Sequence, residues 1–119
     1  MTNSSALRVA ALLGGVAVAL GAFGAHGLKD FLARNQMTGI WDKAVFYHFI
    51  HAVVLLVLAM RAPLRLFPWW SLLLGIILFS GSLYLLALTN AHFLVFVTPL
   101  GGVSFLVGWV CLVLHPPAT

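Results

Sequence analysis

The polar positions of the chain fall in a lopsided pattern. Every Lys, Arg, Asp and Glu lies between Arg8 and Arg65, and none occurs from Leu66 to Thr119. Around and beyond these charges run four long apolar segments, at about 8–25, 44–60, 69–88 and 92–114. Each is continuous rather than alternating, and each comes near the roughly 20 residues that a helix needs to cross a bilayer. Barrel strands would be about half as long and would alternate. Inside lipid, only helices and closed barrels satisfy every backbone polar group. The pattern therefore predicts an all-α integral membrane protein, one domain over residues 1–119. Short connections make consecutive helices antiparallel neighbours, so the expected architecture is a four-helix bundle of antiparallel hairpins.

The connections differ. Leu28 to Lys43 is the only sizeable one, and Asp30 and Arg34 in it are four residues apart with the acid first. That order favours a helix, and Leu28, Phe31 and Leu32 share one face of it. A short amphipathic helix at the membrane surface is expected there. Pro63 and Pro68 break the second connection, and Thr89-Asn90-Ala91-His92 makes the third a tight turn. The first apolar run also has the outline of a secretory signal, with Arg8, the apolar stretch Val9–Leu20 and the small residues around Ala22-Phe23-Gly24. We read it instead as a retained first span.

Composition agrees with the pattern. The chain is 63% hydrophobic and 7% charged, with mean hydropathy +1.13, whereas soluble domains are about one-quarter charged. A chain this small cannot hide so much apolar surface from water, so a lipid bilayer is its first partner. The net charge of +4 comes from six basic and two acidic residues. With four spans, Arg8, Arg61 and Arg65 share one side, and Lys29, Arg34 and Lys43 the other. That tie leaves orientation to the free amino terminus, which favours both termini in the cytoplasm. Trp69 with Trp70, and Trp41 with Tyr47, fit aromatic belts at the two faces. Basic residues interleaved with aromatics are missing, which argues against nucleic acid. The single cysteine, Cys111, reads as a small buried apolar side chain.

Helices in lipid associate through close packing of small residues. Ala11, Gly15 and Ala19 recur every four residues, as do Ala17, Gly21 and Ala25, and Gly24 and Gly27 extend this surface. Ser71 with Gly75 and Ser80-Gly81-Ser82 mark the third segment, and Gly101-Gly102 and Ser104 with Gly108 the fourth. The glycines of GAFGAHGL (21–28) are expected to seat the second helix against the first. Thr98-Pro99 predicts either a kinked fourth helix or a helix that starts at Pro99 under a Thr98 cap. The kink is preferred, because 92–97 is too apolar for water.

Five histidines are the candidate chemistry. His26, His48, His51 and His92 are expected toward one face and His115 at the other, with His48 and His51 in the first turns of the second helix. His48 and His51 are three residues apart, so one helix face can carry both, and Tyr47 lies four residues before His51. His26, Tyr47, His48, His51, His92 and Thr98 form the candidate polar site. H-x-x-H can supply two metal ligands and His26 a third, yet no cysteine lies near and Asp42 is the only close carboxylate. The simpler reading makes these histidines hydrogen-bonding groups between helices. No G-x-S-x-G turn or phosphate-binding glycine loop occurs, no ring of acidic residues marks a pore, and no cofactor is implied.

Four motifs in order, GAFGAHGL (21–28), WDKAVFYHFIHA (41–52), FSGSLYLLAL (79–88) and TPLGGVSFLVGW (98–109), resemble the YgdD-like family of small inner-membrane proteins. The resemblance spans nearly the whole chain. It implies a four-helix protein of the bacterial plasma (inner) membrane, with no known substrate, cofactor or reaction. It places His26, Tyr47, His51, Ser82, Tyr84, Thr98, Pro99, Gly101 and Gly102 at signature positions, and at position 48 it also allows glutamine. The expected role is a non-enzymatic accessory or packing subunit, within a larger membrane complex or a homo-oligomer. The alternative is a small membrane protein that binds or transports a polar ligand, metal, haem or proton through the histidine–tyrosine cluster.

Overall fold

In a computed structural model, which describes residues 1–117, the chain is helical almost throughout. Helix α1 runs Asn3–Ala25, α2 Lys29–Arg34 and α3 Thr38–Ala59. The third span is α4 (Leu66–Gly75), a π-helical turn (Ile76–Ser80) and α5 (Gly81–Thr89), helical without interruption. The fourth is a 310 turn (His92–Phe96) followed by α6 (Thr98–Leu114). Four helical stretches are long and apolar enough to cross a membrane, at residues 3–25, 38–59, 66–89 and 92–114. The molecule measures 48 × 26 × 20 Å, which suits a bilayer of about 40–45 Å with its headgroups.

Three spans start earlier than the apolar pattern predicts, the third by only three residues at Leu66. Thr2 caps α1 by accepting a hydrogen bond from the Ser5 backbone N–H, so the helix gains five residues before Arg8. Helix α3 begins at Thr38 rather than 44 and carries Asp42 and Lys43, both exposed, on its outer surface. A charged side chain at the edge of a span can reach the headgroups, so it need not end the helix. The short surface helix forms as α2. Asp30 lies in its first turn and Arg34 in its last, each where the helix dipole favours its charge. Leu32 is buried beside Trp41 and Ala87. Gln36 and Asn90 take left-handed backbone angles, φ 56° and 58°, and turn the chain after α2 and α5.

The preferred kink at Pro99 does not form. Residues 92–96 tighten into a 310 turn, and α6 starts afresh at Thr98 with Pro99 in its first turn, where the missing N–H costs no helical bond. Thr98 does not cap it; its hydroxyl sits 3.3 Å from the Leu94 carbonyl and 2.6 Å from Ser82 Oγ.

Helix α3 and the third span form the buried middle, with α1 and α6 on the outside. The glycines divide into two groups. A Cβ on Gly101 would collide with the backbone of Phe79, and one on Gly24 with the Trp41 ring. A Cβ on Gly75 would enter the Phe105 ring, and one on Gly108 would lie 2.7 Å from Leu72 Cδ2. Gly21 faces Val45 at 3.2 Å, so GAFGAHGL does seat α3 against α1. Gly15 has nothing within 4 Å, Gly81 only the Ile76 carbonyl at 4.0 Å and Gly102 only Phe79 at 3.9 Å, while Gly27 meets Phe23 of its own segment. These four do not bring helices together as expected. Small size permits an approach; it does not create a partner.

Candidate functional site

Because α3 starts at Thr38, His48 and His51 lie in its middle, deep in the bundle, not in its first turns. Both are buried, at 3% and 4% exposure. His26 is the exposed residue that ends α1, His92 opens the 310 turn on the surface, and His115 ends α6. The candidate polar site is therefore not one cluster. Among the described residues, no group of three or more His, Cys, Asp or Glu side chains comes together in a way that could hold a metal ion.

The surroundings of His51 fix its hydrogen placement. Nδ1 is 2.7 Å from the Tyr47 carbonyl, which can only accept, so Nδ1 donates. Nε2 receives the indole N–H of Trp109 at 3.0 Å, and an indole can only donate. The ring is thus the Nδ1–H tautomer with both nitrogens engaged. Phe105 stacks on it at 3.7 Å between centroids and 14° between planes. His51 ties α3 to α6 and has no lone pair left for a metal.

His48 points the other way. Its Nδ1 lies 2.8 Å from the Tyr84 hydroxyl of α5, and the Tyr84 ring meets Trp41 edge-on at 4.9 Å. Nε2 is buried with no hydrogen-bond partner. The Leu13 carbonyl of α1 lies near the ring outside hydrogen-bonding geometry. Tyr84 O–H donating to Nδ1 leaves Nε2 protonated and unpaired; the reverse leaves both Nε2 and the phenol proton unpaired. The first arrangement orphans fewer groups, and buried polar groups are seldom left unpaired.

Thr98 joins a third polar contact. The Ser82 hydroxyl lies 2.6 Å from Thr98 Oγ1 and 2.9 Å from the Phe79 carbonyl, and so links the π turn to the start of α6. Gly81 N–H reaches back to the Ile76 carbonyl, a five-residue step, and Ser80 Oγ donates to Ala44 of α3 at 2.8 Å. Beside this distorted pair of backbones lies a groove of about 440 Å³ lined by Tyr47, His51, Phe79, Pro99, Phe105 and Trp109.

Several of these contacts lay beyond the reach of sequence reasoning. Trp41 and Trp69 are not belt residues: both are buried, and their indoles donate to the carbonyls of Leu20 and Leu55. Trp70, 48% exposed, fits a belt. Asn3 donates to the carbonyls of Ala59 and Arg61, and Ser104 to that of Ser71. The usable signal was a lone hydrogen-bond donor inside an apolar run, which in lipid needs an acceptor.

The family model described as "Protein of unknown function (DUF423)" matches residues 20–102. The chain belongs to the DUF423 family. A Staphylococcus epidermidis protein named "UPF0382 membrane protein" is 47% identical over 103 residues, covering 83% of this chain and 84% of that relative. The Escherichia coli K12 protein named "UPF0382 inner membrane protein YgdD" is 44% identical over 117 residues, covering 94% of this chain and 88% of the relative. No solved structure matches. This DUF423 chain is a four-span protein of the bacterial inner membrane, and its relatives' names give a location without a reaction. The matched span encloses all of α3, the π turn and Thr98–Gly101, so the clasps of His48 with Tyr84, Ser80 with Ala44 and Ser82 with Thr98 lie within the part the DUF423 model covers, whereas Trp109, the partner of His51, lies beyond it.

Proposed function

We propose that the protein is a non-enzymatic accessory subunit that docks in the membrane through α1, within a larger complex or against a second copy. The observation that carries this reading is the state of Gly15. It lies on the exposed side of an outer helix, in the row Ala11, Gly15 and Ala19, with nothing within 4 Å of where a Cβ would stand. Such a row lets a second helix approach closely. The polar centre supports the same reading, since both nitrogens of His51 are already engaged, one of them by α6, and the hydroxyls of Ser80, Ser82 and Thr98 already hold helices together.

A photo-crosslinking residue at Gly15, in cells, should give one discrete adduct, with a partner or of doubled mass. Gly15→Leu should abolish that complex in mild detergent and leave the melting temperature unchanged. A protein that stays a solitary monomer with no adduct would remove the reading. A second reading, a small-molecule binder, rests on the Tyr47–Phe105 groove. It predicts a co-purifying apolar compound that is lost in Gly102→Leu, which fills the groove; the same yield of that compound in both proteins would exclude it.

A further inference from the structure

The end of the bundle that holds the termini carries the side chains Arg8, Arg61 and Arg65. The chain's two carboxylate side chains, Asp30 and Asp42, lie at the other end, in α2 and the first turns of α3. Neither carboxylate side chain is therefore near Arg65. Arg65 stands partly buried just before α4 and donates from one guanidinium nitrogen to the Pro116 carbonyl at 3.2 Å. A guanidinium has five N–H donors in a fork that suits a phosphate, so most of them remain for another group.

A groove lies close along the chain to this contact, since Phe67 follows Arg65 by two residues and His115 precedes Pro116. It holds about 500 Å³ and is lined by Phe67 of α4 and by Val103, Val107, Cys111, Leu114 and His115 of the α6 segment. Cys111, expected to be buried, is half-buried on its wall. From Val103 to His115 the helix rises about 18 Å. Half the hydrocarbon core of a bilayer is about 15 Å, so the groove runs one leaflet deep. Its apolar length ends at His115, next to the residue that Arg65 holds. The arrangement has the proportions of one lipid molecule, with a trough for an acyl chain and a cation where the headgroup begins.

We propose that this groove binds an anionic phospholipid of the leaflet on the side of the termini. One acyl chain lies along Phe67, Val107 and Cys111, and the phosphate is held by the Arg65 guanidinium with His115 beside it. Basic pockets between spanning helices recognise acidic headgroups in this way. The site is separate from the α1 face and stands whether or not a protein docks there.

Native mass spectrometry of the full chain in mild detergent tests this. Phosphatidylglycerol and phosphatidylcholine of identical chains are added in turn, and the first bound lipid is compared. Phosphatidylglycerol should bind about fivefold more tightly, the preference expected of one arginine near a headgroup. Arg65→Gln should abolish the preference and keep residual binding of both lipids. Val107→Trp, which fills the trough, should weaken both. Lys29→Gln, at the other end, should change neither. Soluble glycerol 3-phosphate should not displace the lipid, because it lacks the chain. Melting temperatures of the variants confirm that each is folded, and Arg65→Lys supplies a second variant should Arg65→Gln not fold; it should keep part of the preference. Equal binding of the two lipids by the parent protein would overturn the proposal. So would a preference that survives Arg65→Gln, or one lost in Lys29→Gln instead.

Discussion

At the scale of single residues, the candidate site is a set of ties between helices. His51 shows it best, since a carbonyl on one nitrogen and an indole on the other leave its ring no free edge. Trp109→Phe keeps an aromatic ring beside it but removes the N–H together with part of the ring system, so it should cost at least about 1 kcal/mol, the scale of a hydrogen bond between spanning helices. Unfolding in mixed detergent would measure that loss. His48 gives a contrast. A glutamine there can still reach the Tyr84 hydroxyl, so His48→Gln should stay within about 0.5 kcal/mol of the parent, whereas His48→Leu would leave the phenol unpaired and cost about 1–3 kcal/mol. The residue types at 48 and 51 could be read as polar groups between helices, though not at the depth they reach. Which neighbour each would meet could not, because the rings of His48 and His51 point to different helices although they share a face.

At the scale of elements, the existence of four spans was legible because a continuous apolar run of that length has one stable form in lipid. Their ends were not. Helix α3 passes through Asp42 and Lys43, and α1 starts on a threonine cap five residues before Arg8. The π turn leaves no mark in the pattern, since a five-residue step needs no special residue type; Ser80-Gly81-Ser82 reads as a run of small residues, and its hydrogen bonds do not show in the sequence. Packing glycines and idle ones looked alike in sequence and separate only by what stands opposite. Gly101→Ala drives a methyl group into the Phe79 backbone, which cannot swing aside as a side chain can. It should destabilise by about 1–3 kcal/mol, while Gly81→Ala, with open space around it, should be close to neutral. Paired thermal melts of these two variants check the division.

At the scale of the whole molecule, nearly all mass lies inside the bilayer, and the two ends differ in charge. One carries three arginines without acidic side chains, and the other mixes Lys29, Arg34 and Lys43 with Asp30 and Asp42. We expect the arginine end, with both termini, to face the cytoplasm. A green fluorescent reporter fused after Thr119 should therefore fluoresce, and a periplasmic phosphatase fused there should stay inactive. The opposite pair of results would invert the assignment.

Four of the tryptophan and serine clasps share one trait: Trp41, Trp69, Ser80 and Ser104 all donate to main-chain oxygens, of Leu20, Leu55, Ala44 and Ser71. A main-chain oxygen belongs to any amino acid, so only one partner of each contact is under chemical constraint. Over evolutionary time the accepting positions are free to drift in identity while the donors stay put. Correlated substitution across these contacts should therefore be faint, and methods that infer neighbours from paired changes would overlook the very bonds that lock the bundle.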